Sequence, residues 1–238
     1  MRAHKTRMTL GVALVLALAP ALAAHAEVTA TVTGTTDYVW RGVSQTDEKP
    51  ALQLGVEYEH ESGLYAGTWG SNVDFDEDVS DPAHFEIDLY AGWRGETEGG
   101  LGWDIGVLRY LYPDTTEDFD YNGLVVSATY GIFTFEVDYS NDVFASGENG
   151  FYYNLGVSHE IPDLFTVAAS VGYSDFDKEV NGEGAPDSYV DWRIGISRSL
   201  WDFDLDLSYY DTSDNGEELN GDMAEPRVVF TISRSLSF

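Results

Sequence analysis

The chain has 238 residues, with 12 Lys and Arg against 42 Asp and Glu, a formal net charge of −30 and no cysteine. Carboxylates in such excess would repel nucleic acid, which is therefore not expected as a partner, and the lack of cysteine excludes disulfides and thiolate metal sites. Disorder is excluded as well, because aromatic residues make up 14% of the chain and recur at regular spacing.

Residues 1–26 read as a secretory signal peptide. Arg2, Lys5 and Arg7 form a basic start, Leu10 to Ala23 an apolar run, and Ala24-His25-Ala26 a small-x-small cleavage site before Glu27. Residues 27–238 are then a single domain. Nothing after Glu27 is apolar for long enough to be a membrane helix, so a membrane location would require a closed barrel.

From Val28 onward the apolar residues recur with period two, the mark of β-strands whose successive side chains face opposite ways. Val28 to Trp40 alternates, with Val28, Ala30, Val32, Gly34, Tyr38 and Trp40 on one face and Asp37 and Arg41 on the other. After a polar loop, Gly42 to Lys49, Pro50 opens a second strand carrying Leu52, Leu54, Val56 and Tyr58. Glu61-Ser62-Gly63 turns the chain into Leu64 to Phe75, where Tyr65, Gly67, Trp69, Ser71, Val73 and Phe75 share one parity. An acidic loop, Asp76 to Pro82, precedes the clearest strand, Phe85 to Trp93, with Phe85, Ile87, Leu89, Ala91 and Trp93 opposite Glu86, Asp88, Tyr90 and Gly92.

A turn at Glu96 to Gly100 leads to Leu101, Trp103, Ile105 and Val107. The acidic loop Pro113 to Asp120, the strand Tyr121 to Tyr130, the turn Gly131-Ile132 and the strand Phe133 to Tyr139 follow. A loop over Asn141 to Asn149 precedes Phe151, Tyr153, Leu155 and Val157, and Ile161-Pro162-Asp163 turns into Phe165 to Tyr173. Beyond the acidic loop Asp175 to Asp187 come Val190, Trp192, Ile194 and Ile196, a turn at Ser199 to Trp201, and Phe203, Leu205, Leu207 and Tyr209. The longest loop, Asp211 to Glu225, leads to a last strand with Val228, Phe230, Ile232, Leu236 and the terminal Phe238.

This predicts an all-β chain of about 12 strands, each near the ~9–11 residues that cross a bilayer at a tilt. Alternation alone fits a soluble β-sandwich equally well. The leader on a cysteine-free chain, the strict exchange of long loops with short turns, and the apolar C-terminal strand point instead to an antiparallel transmembrane barrel. Bacterial outer-membrane barrels have an even strand number, short periplasmic turns and long external loops. The expected location is the bacterial outer membrane. Phe230, Ile232, Leu236 and Phe238 resemble the closing-strand signal read by the barrel assembly machinery there, so that machinery and outer-membrane lipid are expected partners.

Arg198 and Arg234 occupy the repeated Ile-Ser-Arg-Ser-Leu segments at the ends of two strands, on lipid-facing parity, where their heads can snorkel to the interface. Arg109 breaks the pattern, because alternation points it at lipid beside Val107; a bulge or an early strand end would relieve it.

Asp37-Tyr38-Val39-Trp40-Arg41-Gly42-Val43-Ser44-Gln45-Thr46 and Pro50-Ala51-Leu52-Gln53 resemble the opening of the TorF-family porins. The stretch Glu61 to Phe75, the segment Glu86 to Trp93 and the ending Arg227-Val228-Val229-Phe230 resemble that family too. The resemblance implies an outer-membrane pore and transfers no catalytic residues.

With the apolar parity toward lipid, the pore-lining candidates are Asp37, Arg41, Glu57, Glu59, Asp74, Glu86, Asp88, Arg94, Asp104, Glu136, Asp138, Asp191, Arg193, Asp204 and Asp206. Acidic rings favour cations, so a cation-preferring channel for small hydrophilic solutes is expected. The alternative is a non-conducting structural or adhesive barrel whose acids pair with Arg41, Arg94 and Arg193, since 12 strands enclose only a narrow bore. Asp74, Asp76, Asp78 and Asp81 are hard oxygen ligands at close spacing but lack a calcium-loop motif with its central Gly, and read as a solvated acidic surface. No cofactor and no enzyme activity are expected. There is no Gly-x-Ser-x-Gly elbow, His159-Glu160 lacks the second His of a zincin, and His60 and His84 stand alone near strand ends.

Overall fold

The period-two pattern is realised as a closed antiparallel barrel of twelve strands in a computed structural model that describes residues 26–75, 83–115 and 119–238. The barrel strands are β1 (Ala26–Thr35), β4 (Ala51–His60), β5 (Leu64–Asn72), β6 (Phe85–Glu96), β7 (Leu101–Leu111), β8 (Tyr121–Tyr130), β9 (Phe133–Ser140), β10 (Gly150–Ile161), β11 (Phe165–Phe176), β12 (Ser188–Leu200), β13 (Phe203–Thr212) and β14 (Arg227–Ser237). A separate two-stranded ribbon, β2 (Val39–Trp40) and β3 (Val43–Ser44), lies in the first connection. Sequential strands pair in order, and β1 closes the cylinder against β14 with Thr29 opposite Ser237 and Thr35 opposite Thr231. Closure leaves no free sheet edge, which is what allows a sheet to sit in hydrocarbon. Among the described residues no helix is long and apolar enough to cross a membrane.

The short turns 61–63, 97–100, 131–132, 162–164 and 201–202 gather at one end, and every long connection leaves from the other. Apolar side chains such as Leu54, Ile105, Val107, Leu124, Leu155, Ile194 and Leu207 face outward and are exposed, as a lipid-facing surface requires. The segment 1–26, expected to be a signal peptide, lies outside the described residues apart from Ala26, which starts β1. The acidic segment 76–82, with Asp76, Asp78 and Asp81 of the oxygen-ligand cluster, lies outside them too.

Four local expectations are corrected. The first strand stops at Thr35 rather than reaching Trp40, because Thr36 to Pro50 turns into the barrel; Tyr38 and Trp40 consequently face inward, not toward lipid. On β5 the inward parity is the aromatic one: Tyr65 donates to Asp104, Trp69 packs edge-on against Tyr38, and Leu64, Ala66 and Thr68 are exposed. Asp74 is therefore placed beyond the end of β5 and not on a barrel strand. Arg109 needs neither a bulge nor an early strand end. β7 runs unbroken through Leu111, and Arg109 is compensated on the outer face by Asp120 at 3.2 Å and Asn122 at 3.5 Å. The loops after β11 and β13 hold short helices, α1 (Lys178–Asn181) and α2 (Asp214–Asn220), where the sequence predicts only irregular chain.

Among the described residues a buried apolar cluster lies at the long-loop end. Val43 from the ribbon, Val143, Phe176, Tyr189 and Ala224 form it, with Leu219 and Met223 packed against them. The loop helices therefore cap the segment that folds inward from β1.

Candidate functional site

The segment 36–50 fills one end of the bore. Its ribbon turns at Arg41 and Gly42, whose φ values of 50° and 80° are the positive pair that a two-residue hairpin turn needs. Gly42 permits that turn and a close approach, since a Cβ there would lie 2.6 Å from Thr212 Cγ2 and 2.8 Å from Asp191 Cβ. At the base of the ribbon, buried Asp37 accepts hydrogen bonds from Ser44 Oγ (2.6 Å) and Thr46 Oγ1 (2.9 Å), and pairs with Arg227 at 3.0 Å. These bonds are charge-assisted, which makes them stronger than neutral ones.

At the tip, Arg41 pairs with Asp138 at 2.7 Å across the bore. Its guanidinium also lies over the rings of Trp40 (4.0 Å) and Tyr152 (4.2 Å), and the Tyr189 hydroxyl donates to its carbonyl oxygen at 3.1 Å. Burial works most strongly against the Arg41 charge, but Asp138 and the phenols of Tyr110, Tyr121 and Tyr189 together outweigh it and hold the guanidinium pKa above its ordinary value. At the outer edge Lys49 is held charged by hydrogen bonds from its ammonium to Asp74 (2.7 Å) and Asp47.

Nearer the short-turn end the interior is a second network. Arg94 contacts Glu57 at 2.6 Å, Glu59 at 3.7 Å and Asp104 at 3.9 Å, and its guanidinium stacks on Tyr65. Arg193 pairs with Asp206 at 2.7 Å and donates to Ser208. At the ribbon end, Asp191 lies beside the Gly42 turn and accepts from the hydroxyl of Tyr152, the ring beneath Arg41, at 3.3 Å. Glu136 follows the same inward parity as Asp138, two residues away on β9. Asp204 lies at the short-turn rim, exposed, and accepts from Ser199.

Glu86 and Asp88 are different. Glu86 is 3% exposed and Asp88 9%, and neither has a cationic partner among the described residues. The Tyr38 hydroxyl donates to Glu86 at 3.3 Å, and Tyr112 hydrogen-bonds it too. Burial first, then the Glu86 charge, pushes both phenols well above their ordinary pKa, so they stay neutral donors. Beside Glu86 is a cavity of ≈ 270 Å³ walled by Tyr38, Trp40, Tyr110, Tyr112, Tyr121 and Phe144. Tyr110 and Tyr121 stack with centroids 4.4 Å apart, and Phe144 meets Trp40 and Tyr121 edge-on at 6.1 and 5.8 Å.

Of the residues proposed from sequence, Arg41 and Asp138 meet at the tip, Arg94 gathers Glu57, Glu59 and Asp104, and Arg193 meets Asp206. Asp37 and Arg41 reach the interior through a loop, not through the face of a strand. Sequence reasoning missed Arg227, the partner of Asp37, and the inward tyrosines. Tyr110 and Tyr121 do fall on the inward parity of their strands, and that was the available signal.

This chain belongs to the Gcw_chp family. Residues 20–236 match it, under the description of a bacterial protein of unknown function. That description does not carry the TorF name which the motif segments resemble. No curated protein matches the chain. Among solved structures the fold is similar to the NanC porin (TM-score 0.57, 11% identity, 86% of this chain and 97% of that one). It is also similar to LpxR from Salmonella typhimurium (0.51, 11%, 87% and 99%) and to the KdgM porin (0.51, 7%, 89% and 99%). What is shared at these identities is the twelve-stranded barrel of outer-membrane proteins.

One pairing bears on enzymatic chemistry. His60 Nδ1 lies 2.9 Å from Ser62 Oγ, but that nitrogen also accepts the Ser62 backbone N–H at 3.1 Å, within one exposed turn. This is a turn-stabilising contact, built from neighbours in sequence.

Proposed function

We propose that the chain is a non-enzymatic outer-membrane channel for small hydrophilic solutes, cation-preferring and narrowed at its outer mouth by the segment 36–50. The observation that carries this reading is the division of the barrel into an apolar outer surface and an interior rich in carboxylates. Among the described residues Asp37, Glu57, Glu86, Asp88, Asp104, Glu136, Asp138, Asp191 and Asp206 turn inward against Arg41, Arg94, Arg193 and Arg227. A field of that sign lowers the energy of a cation in a narrow bore and raises that of an anion. Its likeness in fold to the NanC and KdgM porins and the TorF-family resemblance support the same reading, as does the leader for export. In that setting the C-terminal residues Phe230, Ile232, Leu236 and Phe238, all exposed on the outer face, would be read by the assembly machinery.

The test is the reversal potential of the refolded chain in a planar bilayer under a salt gradient. Cation preference is expected, and anion preference would refute it. A second reading, a closed structural or adhesive barrel, is favoured by the Arg41–Asp138 and Arg227–Asp37 pairs that anchor the inward segment. Absence of any current at all, from protein shown to be folded, would select it.

A further inference from the structure

We propose that the aromatic cavity beside Glu86 is a binding site for a small organic cation of the alkylammonium type. The site takes the channel reading on to a solute class and rests on that reading for transport only, since binding requires no current.

Three features of the cavity point to this chemistry. The first is charge. Glu86 is almost wholly buried, with the phenols of Tyr38 and Tyr112 as its side-chain donors among the described residues, and Asp88, on the same face of β6, has a buried Oδ1 with no hydrogen-bond partner among them. A buried carboxylate without a counter-charge is costly, and a bound cation would supply the missing charge. Arg41, next to Trp40 of the cavity wall, is already committed to Asp138.

The second feature is the wall. Eight aromatic side chains line the space, Phe75 and Phe119 besides the six named above, and the faces of such rings are electron-rich; cages of them hold ammonium groups that carry apolar substituents. A bare divalent cation would instead need six or more oxygen ligands. Among the described residues no group of His, Asp or Glu is disposed to hold a metal ion.

The third feature is size. A cavity of ≈ 270 Å³ falls just below the volumes that enclose drug-sized ligands, so the occupant is a small amine. An anion would meet the Glu86 carboxylate in the wall.

The probe is choline chloride, titrated by calorimetry into the full refolded chain in detergent micelles. The control is 3,3-dimethylbutan-1-ol, its uncharged isostere. Saturable choline binding is expected, with the alcohol at least about tenfold weaker because it lacks both the ion pair and the cation–π contacts. Glu86→Gln, checked for its β-sheet circular dichroism, should weaken choline by a similar factor and leave the alcohol unchanged. Equal affinity for choline and the alcohol, no binding of choline, or a folded E86Q that binds choline as the unmodified chain does would each overturn the proposal. The choline–alcohol comparison needs no variant, so it decides the matter even if E86Q does not refold. Choline binding by a barrel that carries no current would support this site while removing the channel reading. Current without choline binding would do the reverse.

Discussion

Replacing Arg41 with Ala should release the tip of the inward segment and increase the current through the barrel. The side chains of Arg41 and Asp138 are only 10% and 17% exposed, so removing the guanidinium leaves a largely buried carboxylate without its partner. Breaking one side of a buried pair costs about 3–5 kcal/mol, and each lost stack on Trp40 and Tyr152 adds about 0.5–2 kcal/mol. At about 1.4 kcal/mol per factor of ten, the ratio of docked to undocked segment should fall by at least about two orders of magnitude. The Asp37 cluster at the base of the ribbon is untouched, so the loss should concern the tip rather than the whole barrel. Single-channel recording would show it as a larger mean conductance or as new excursions to a larger one. Asp138→Asn combined with R41A should recover part of the loss, because it removes the stranded carboxylate. Arg41→Lys should be intermediate, keeping the charge but losing the planar stack. If folded R41A gives currents superimposable on those of the unmodified chain, the segment 36–50 does not control the bore and the reasoning fails.

Gly42→Ala attacks the same segment through its backbone. A methyl group there meets Thr212 and Asp191 at under 3 Å, at a φ of +80°; a cost of about 1–3 kcal/mol is expected, read as faster tryptic cleavage after Arg41 in the folded protein. Unchanged protection would show that the ribbon is not packed as described. Arg94→Ala leaves Glu57, Glu59 and Asp104 without their shared cation and should move the reversal potential further toward cation selectivity. Because Arg94 is about a third exposed, its effect on stability should stay below about 1 kcal/mol, and a shift toward anions would contradict the expected pore field. Val107→Arg puts a charge on the outward face midway along β7 and should cost about 2–4 kcal/mol in lipid vesicles; a urea midpoint equal to that of the unmodified chain would mean that this face does not meet acyl chains. Phe238→Ala should lower the amount assembled in the outer membrane of cells while leaving detergent refolding intact. An equal loss in both would reduce Phe238 to a packing residue of the β1–β14 seam, where its backbone already pairs with Val28.

The strands were readable because a period of two is a local property. Each stretch of alternation, Phe85 to Trp93 above all, specifies its own two faces without reference to the rest of the chain, and the exchange of long and short connections then fixes which ends gather together. Alternation misleads on β5, because Tyr65 and Trp69 count as apolar although the Tyr65 hydroxyl serves Asp104 and the Trp69 ring packs on Tyr38 of the inward segment. Hydropathy does not separate an aromatic ring that lines a wet interior from one that meets lipid. Arg109 failed for a related reason: its compensation by Asp120 comes from the far side of a loop.

Strand number, the identity of most outward faces and the acidity of the interior all follow from residues and their nearest neighbours in the chain. The course of the segment 36–50 does not. Its direction depends on Asp138, Tyr189 and Arg227, which lie 97, 148 and 190 residues away from their partners Arg41, Arg41 and Asp37. Such contacts exist only after the barrel has closed. A polar loop with a Gly at its tip has no pattern of its own to say whether it will stand in solvent or fold inward. Closure of the cylinder, by bringing an aspartate and a set of tyrosines around the bore within reach of one arginine, is what turned that loop into the lining of a site.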